Sequence, residues 1–190
     1  TMSYIARLTF RAGSSRVDLA WTHVNTCTQT EFTDITSLAL AGVVPAASNG
    51  DVVAPGAAAG AIEAIPSPVR LLQTDERTCT ANGASAGGPS GRAPGVARVR
   101  NPAGGVALVL HEFWEHWPKA LALEGDSLRI EWLPELPGPD FGRGLPHYLM
   151  YPFVEGKYRL KWGMSFTETV TLDFGGTLAP EELVAEARHP

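Results

Sequence analysis

The sequence predicts an all-β fold, an antiparallel β-sandwich of about ten strands followed by a short C-terminal helix. Two observations carry this reading. Apolar and polar residues alternate with period two through several short segments, the pattern of a half-buried strand. Between those segments lie clusters of Gly, Pro, Ser and Asn, which favour turns.

Residues 4–11 open the series. Tyr4, Ala6, Leu8 and Phe10 alternate with Ile5, Arg7, Thr9 and Arg11. The turn Ala12-Gly13-Ser14-Ser15 then leads to Val17, Leu19 and Trp21 on one face, so the pair reads as a hairpin. A third strand is expected between residues 32 and 41. Residues 42–66 are rich in Ala, Gly and Pro and predict loops around one short strand. Residues 69–74 predict a strand, and the Gly-, Ser- and Pro-rich stretch 81–95 an exposed loop. A hairpin follows at 96–100 and 106–111. In its second strand Val106, Leu108 and Leu110 on one face and Ala107 and Val109 on the other are all apolar, which predicts a central strand covered on both sides.

Residues 121–124 and 128–133 form the next hairpin around Gly125-Asp126, with Leu128, Ile130 and Trp132 inward and Arg129 and Glu131 towards water. After a Pro/Gly-rich loop at 134–146 come strands at 157–162 and 165–174. In the last, Phe166, Val170, Leu172 and Phe174 face inward, and Thr167, Thr169, Thr171 and Asp173 outward. From Pro180 the pattern becomes a short helix that breaks off in Arg188-His189-Pro190.

A chain of 190 residues, 44% hydrophobic and 18% charged, suits one globular domain with its own core. The net charge of −5 argues against a nucleic-acid partner, which needs a basic footprint. No apolar run approaches the ~18 residues of a membrane span. Thr1-Met2-Ser3 passes straight into strand-like sequence, with neither the basic nor the apolar part of a signal peptide. The expectation is a sandwich domain over residues 1–178, with 179–190 beginning a helical linker towards a further domain. Any targeting signal would then lie outside this chain, and the compartment stays open. Cys27 and Cys79 could pair in an exported protein or stay free in the cytosol, and two cysteines alone are too few for a structural zinc site.

Several residues could carry chemistry. In His111-Glu112-Phe113-Trp114-Glu115-His116 the histidines stand at i and i+5, not the i and i+4 of a zinc-binding helix, and Pro118 stops any helix there. This disfavours a metal. His23 shares the inward parity of Val17, Leu19 and Trp21 and is either a satisfied core histidine or a cleft residue. Glu168 shares the parity of Phe166 and Val170; it is either solvated at a sheet rim or buried with a partner. Lys157, Arg159 and Lys161 form a basic stripe opposite Tyr158, Leu160 and Trp162. The stripe could meet an anionic ligand such as a uronic-acid polymer, or pair with acidic residues on a neighbouring strand. Trp114, Trp117 and Lys119 should cluster at a strand exit where Pro118 turns the chain, as a domain interface or a sugar platform.

Three segments together resemble one family. They are Ala6-Arg7-Leu8-Thr9-Phe10-Arg11-Ala12-Gly13 with Trp21-Thr22-His23-Val24-Asn25, then Gly105 to Trp114 with Trp117-Pro118-Lys119-Ala120-Leu121, and then Leu128 to Pro134. In order and spacing they are similar to the central β-sandwich of the exo-rhamnogalacturonan lyase/YetA-like proteins. The chain departs from that pattern at Thr22-His23, where His-Thr is expected, and at Thr167-Glu168-Thr169, where Thr-His-Glu is expected. The resemblance implies a preceding β-domain, a following α/α toroid and an acidic polysaccharide or oligosaccharide as partner. It also implies β-elimination with no cofactor, in which a cation neutralises the sugar carboxylate while a base removes the adjacent proton. This sandwich would support the cleft, with Trp114, Lys119, Lys157, Arg159, Lys161 and His23 as candidate sugar contacts, and would not be catalytic alone. The alternatives are a free-standing carbohydrate-binding module and a metal-dependent sandwich enzyme.

Overall fold

The computed structural model describes residues 2–47, 49–58, 60–87, 91–102, 104–144, 152–175 and 178–188. The His189-Pro190 end of the expected tail, and parts of the two Gly/Pro-rich loops at 88–90 and 145–146, lie outside the described residues. The described residues fold into sixteen strands and one helix. In chain order these are β1 (Met2–Phe10), β2 (Arg16–Asn25), β3 (Phe32–Ile35), β4 (Leu38–Val43), β5 (Asn49–Pro55), β6 (Ile62–Pro66), β7 (Val69–Gln73) and β8 (Cys79–Ala81). They continue as β9 (Ala84–Ser85), β10 (Val96–Asn101), β11 (Gly104–Leu110), β12 (Lys119–Glu124), β13 (Ser127–Leu133), β14 (Phe153–Val154), β15 (Lys157–Lys161), β16 (Ser165–Asp173) and α1 (Pro180–Arg188).

Two antiparallel sheets face each other. The first has seven strands in the order β1-β2-β16-β11-β10-β5-β6, and the second six in the order β4-β13-β12-β7-β8-β9. Inward residues of both sheets meet in one core: Leu19, Val52, Val99, Leu108, Leu110 and Val170 from the first, Val69, Leu71, Leu121, Leu123, Ile130 and Trp132 from the second. A third sheet, β14-β15-β3, closes one end, where Tyr158 and Leu160 pack with Leu133, Leu136 and Phe166. Tyr158 donates its hydroxyl to the Pro134 carbonyl at 2.6 Å, and Asn25, buried, donates to the Leu160 carbonyl at 3.0 Å. These bonds satisfy polar groups that would otherwise cost stability at a buried junction.

The all-β antiparallel sandwich is as the alternation predicts, and β11 is covered on both faces. Leu108 and Leu110 enter the main core; Ala107 and Val109 lie under Leu183 and Val184 of α1. The helix thus uses its apolar face on this sheet. Glu181 and Glu182 sit in its first turn, and Glu182 accepts the Ala179 N–H at 2.8 Å, a capping contact that favours the helix start.

Other elements depart from expectation. The third predicted strand is two, β3 and β4, in different sheets. The region 42–66 holds β5 and β6 in place of one short strand, and β5 is buried from Gly50 to Pro55. Both faces of β5 are covered, Val52 and Ala54 by the second sheet and Val53 by the helix cluster, so it carries no alternation to read. The loop at 81–95 contains β9 and the end of β8. Tyr4, Leu8 and Phe10 are exposed because β1 is an edge strand whose inward-parity residues stay outside the core. Phe174, read as inward, is also exposed just beyond the end of its strand, as is Trp162. Glu131, read as facing water, is buried against Arg70.

Candidate functional site

The aromatic segment 111–118 is the crossover between the sheets, running from the end of β11 in the first to the start of β12 in the second. His111 is held at its start, its N–H on the Thr169 carbonyl at 3.0 Å and its ring Nε2 3.0 Å from Thr171 Oγ1. Glu112 takes a left-handed φ of 53°, and the His116 N–H closes a turn onto the Glu112 carbonyl at 2.9 Å. Phe113 fills the core. The turn delivers Lys119 to the first position of β12, on the same face as Leu121 and Leu123.

That placement buries an ammonium. Lys119 Nζ donates to Glu168 Oε1 of β16 at 2.6 Å and to the Trp132 carbonyl of β13 at 3.2 Å. The Lys119 side chain is 0% exposed and that of Glu168 3%. The ion pair therefore spans the two sheets inside the sandwich. His116 stands at its outer edge, about one third exposed, with Nδ1 3.7 Å from Glu168 Oε2 and Nε2 3.7 Å from Glu112 Oε2. Both distances are ion-pair contacts too long for hydrogen bonds.

Burial by itself would raise the Glu168 pKa, but His116 and Lys119 outweigh it and hold the carboxyl below the usual range. The same carboxylate draws the His116 imidazole upward. Burial pulls the Lys119 ammonium down, and Glu168 acts against it. His23 lies alongside, its ring 4.9 Å from Phe166 and edge-on to Trp132 at 6.0 Å. Burial lowers its pKa to about 4. Trp21 Nε1 donates to His23 Nδ1 at 3.3 Å, so the neutral ring carries its proton on Nε2. His23 is thus a core residue beside the pair.

The structure brings together Lys119, Glu168, His116 and His23 and leaves other candidates apart. Trp114 and Trp117 are half-buried on the crossover, and the Arg92 guanidinium sits 4.1 Å over the Trp114 ring, occupying one of its faces. Lys157, Arg159 and Lys161 do point outward from β15, opposite buried Tyr158 and Leu160. Arg159 is bound in bidentate fashion by Asp34 of β3, two bonds of 2.8 Å, and Lys161 stands 3.7 Å from Glu31. Arg159 is therefore matched on the neighbouring strand, and Lys161 faces the acidic residue just before it. Both cysteines are free. Among the described residues, no three His, Cys, Asp or Glu side chains gather as a metal-binding group.

The Lys119–Glu168 pair is absent from the sequence reading, although a signal for it exists. Lys119, Leu121 and Leu123 alternate, as do Phe166, Glu168 and Val170. Opposite charges at inward parity on two strands imply a buried pair. Starting β12 two residues late, at Leu121, hides the parity of Lys119.

Compared with known proteins, the chain matches no family model and no curated protein sequence.

Proposed function

We propose that this sandwich is the supporting domain of a rhamnogalacturonan-lyase-like, carbohydrate-active protein, lending surface to a sugar cleft and performing no β-elimination alone. One observation carries the second half of this reading. The cation of the Pro118-Lys119 segment is fully buried and committed to Glu168 and a backbone carbonyl. It has no free face to neutralise a substrate carboxylate, and without that neutralisation the proton beside the carboxylate stays weakly acidic. The half-exposed Trp114 and Trp117 on the crossover support a sugar-facing or domain-facing role for that end.

A free-standing carbohydrate-binding module is the second reading. It is favoured by α1, which spends Leu183 and Val184 on the domain's own sheet. Both readings expect no turnover by the chain itself. Incubation with rhamnogalacturonan should give no rise in the ultraviolet absorbance of unsaturated uronate above a heat-killed control. Any rise above that control would overturn the supporting role.

A further inference from the structure

We infer that the outer face of the second sheet is a binding trough for a carboxylate-bearing sugar, centred on Ala122 between Arg70 and Arg129. This rests on the acidic-glycan reading above and supplies the surface that the β15 stripe does not.

The trough follows from the side chains of the outward positions. On β12 these are Ala120, which is fully buried, and Ala122, which is half-buried, so the low point of the sheet lies at Ala122. On either side stand longer residues. Ala122 is opposite Arg70 on β7 and opposite Arg129 on β13, and Ala120 is opposite Leu72 and Glu131. Strand spacing puts the two arginine backbones about 10 Å apart across the alanine floor. Two adjoining hollows of about 510 and 430 Å³ share Arg70, Arg129 and Glu131 in their walls. Asn82 and Ser127 line one end, Ser37 and Glu135 the other.

The charges in the trough are unequally matched. Glu131 is 7% exposed and accepts Arg70 through three contacts of 2.7–3.3 Å. Those contacts use both of its carboxylate oxygens. Arg129, half-exposed, reaches the same carboxylate only at 3.8 Å. One carboxylate thus serves two guanidiniums, and Arg129 presents donors to the trough. A planar fork of N–H groups suits a second carboxylate. The hollow over Ala122 leaves room for a sugar ring to bring one there. By contrast, Arg159 of the stripe is already closed by Asp34 on a bidentate contact. Glu124 and Glu135 at the ends of the trough disfavour a densely charged anion and favour a single carboxylate per sugar.

The test is an NMR titration of the 190-residue chain with digalacturonic acid, with neutral digalactose as control, following backbone amides and arginine Nε–H signals. The expected result is saturable shifts at Arg129, Arg70 and Ala122 with the acid and none with the neutral sugar. Arg129→Gln should weaken binding about tenfold or more, the loss of one charge-assisted hydrogen bond. Ala122→Phe, which fills the floor, should abolish it while the spectrum stays dispersed. Unchanged affinity in either folded variant overturns the trough, as do equal shifts with digalactose. Saturable shifts confined to Lys157, Arg159 and Lys161 overturn the trough and leave the acidic-glycan reading standing. No shift anywhere with the acid overturns both.

Discussion

Replacing Lys119 by Met tests the most unusual feature of the interior. The substitution keeps the length of the side chain and removes the charge. Glu168, 3% exposed, would then be left with only His116, 3.7 Å away at the edge. The Trp132 carbonyl would lose its donor too. Breaking a buried pair by removing one partner costs about 3–5 kcal/mol, a large part of the 5–15 kcal/mol of a typical domain. Urea unfolding at pH 8 should show that loss as a lower midpoint with an unchanged slope.

The pH dependence has a definite sign. In the parent protein the Glu168 pKa is depressed, so its contribution is present above the unfolded carboxyl value and fades as pH falls through the folded one. In Lys119→Met, burial without the cation raises that pKa, and the penalty is present at neutral pH and relieved when Glu168 takes up a proton. The midpoint gap between the two proteins should therefore narrow from pH 8 to pH 4. Lys119→Met with Glu168→Leu should recover most of the loss, since an apolar pair of similar volume often replaces a buried ion pair at little cost. A loss below about 1 kcal/mol in the single variant, the level of a surface pair, would refute the burial argument. So would a double variant no more stable than the single.

Further outcomes follow from the same geometry. In an NMR pH titration His23 should stay neutral until about pH 4, whereas His116 should titrate above its ordinary value; the reverse order would break the assignment of core and edge. Because the His116 pKa is raised, the advantage of the parent over His116→Gln should be full below the ordinary histidine value of about 6.5 and disappear as pH rises through the elevated one. Hydrogen bonds from the Gln29 backbone and the Thr30 and Thr33 side chains bring the Cys27 thiol down to about 6, whereas burial lifts Cys79 to about 12. Iodoacetamide at pH 7 should accordingly label Cys27 first, as peptide mapping would show. Lys157→Ala with Arg159→Ala should cost less than about 1 kcal/mol in a melt, since the Arg159–Asp34 pair lies at the surface; a larger loss would mean that the stripe is structural.

The features legible along the chain are local ones. Alternation with period two marks β1, β2, β13, β15 and β16, because a pleated backbone sends successive side chains to opposite faces whatever the partner. The double-apolar run of β11 announces cover on both sides, and α1 supplies the second cover. Inward parity places His23, Leu128, Ile130 and Trp132 correctly.

Which strands oppose which is not legible in this way, because it depends on contacts between residues far apart in the chain. β5 is invisible to alternation since sheet and helix bury both its faces. Tyr4, Leu8 and Phe10 alternate as core residues do, yet the edge position of β1 leaves them exposed. Lys119 and Glu168 stand 49 residues apart, and the stacking of two sheets makes them partners at 2.6 Å. Arg70 and Arg129 flank one alanine because β7 and β13 lie on either side of β12. Such neighbours are created by sheet order, which no single strand's pattern contains.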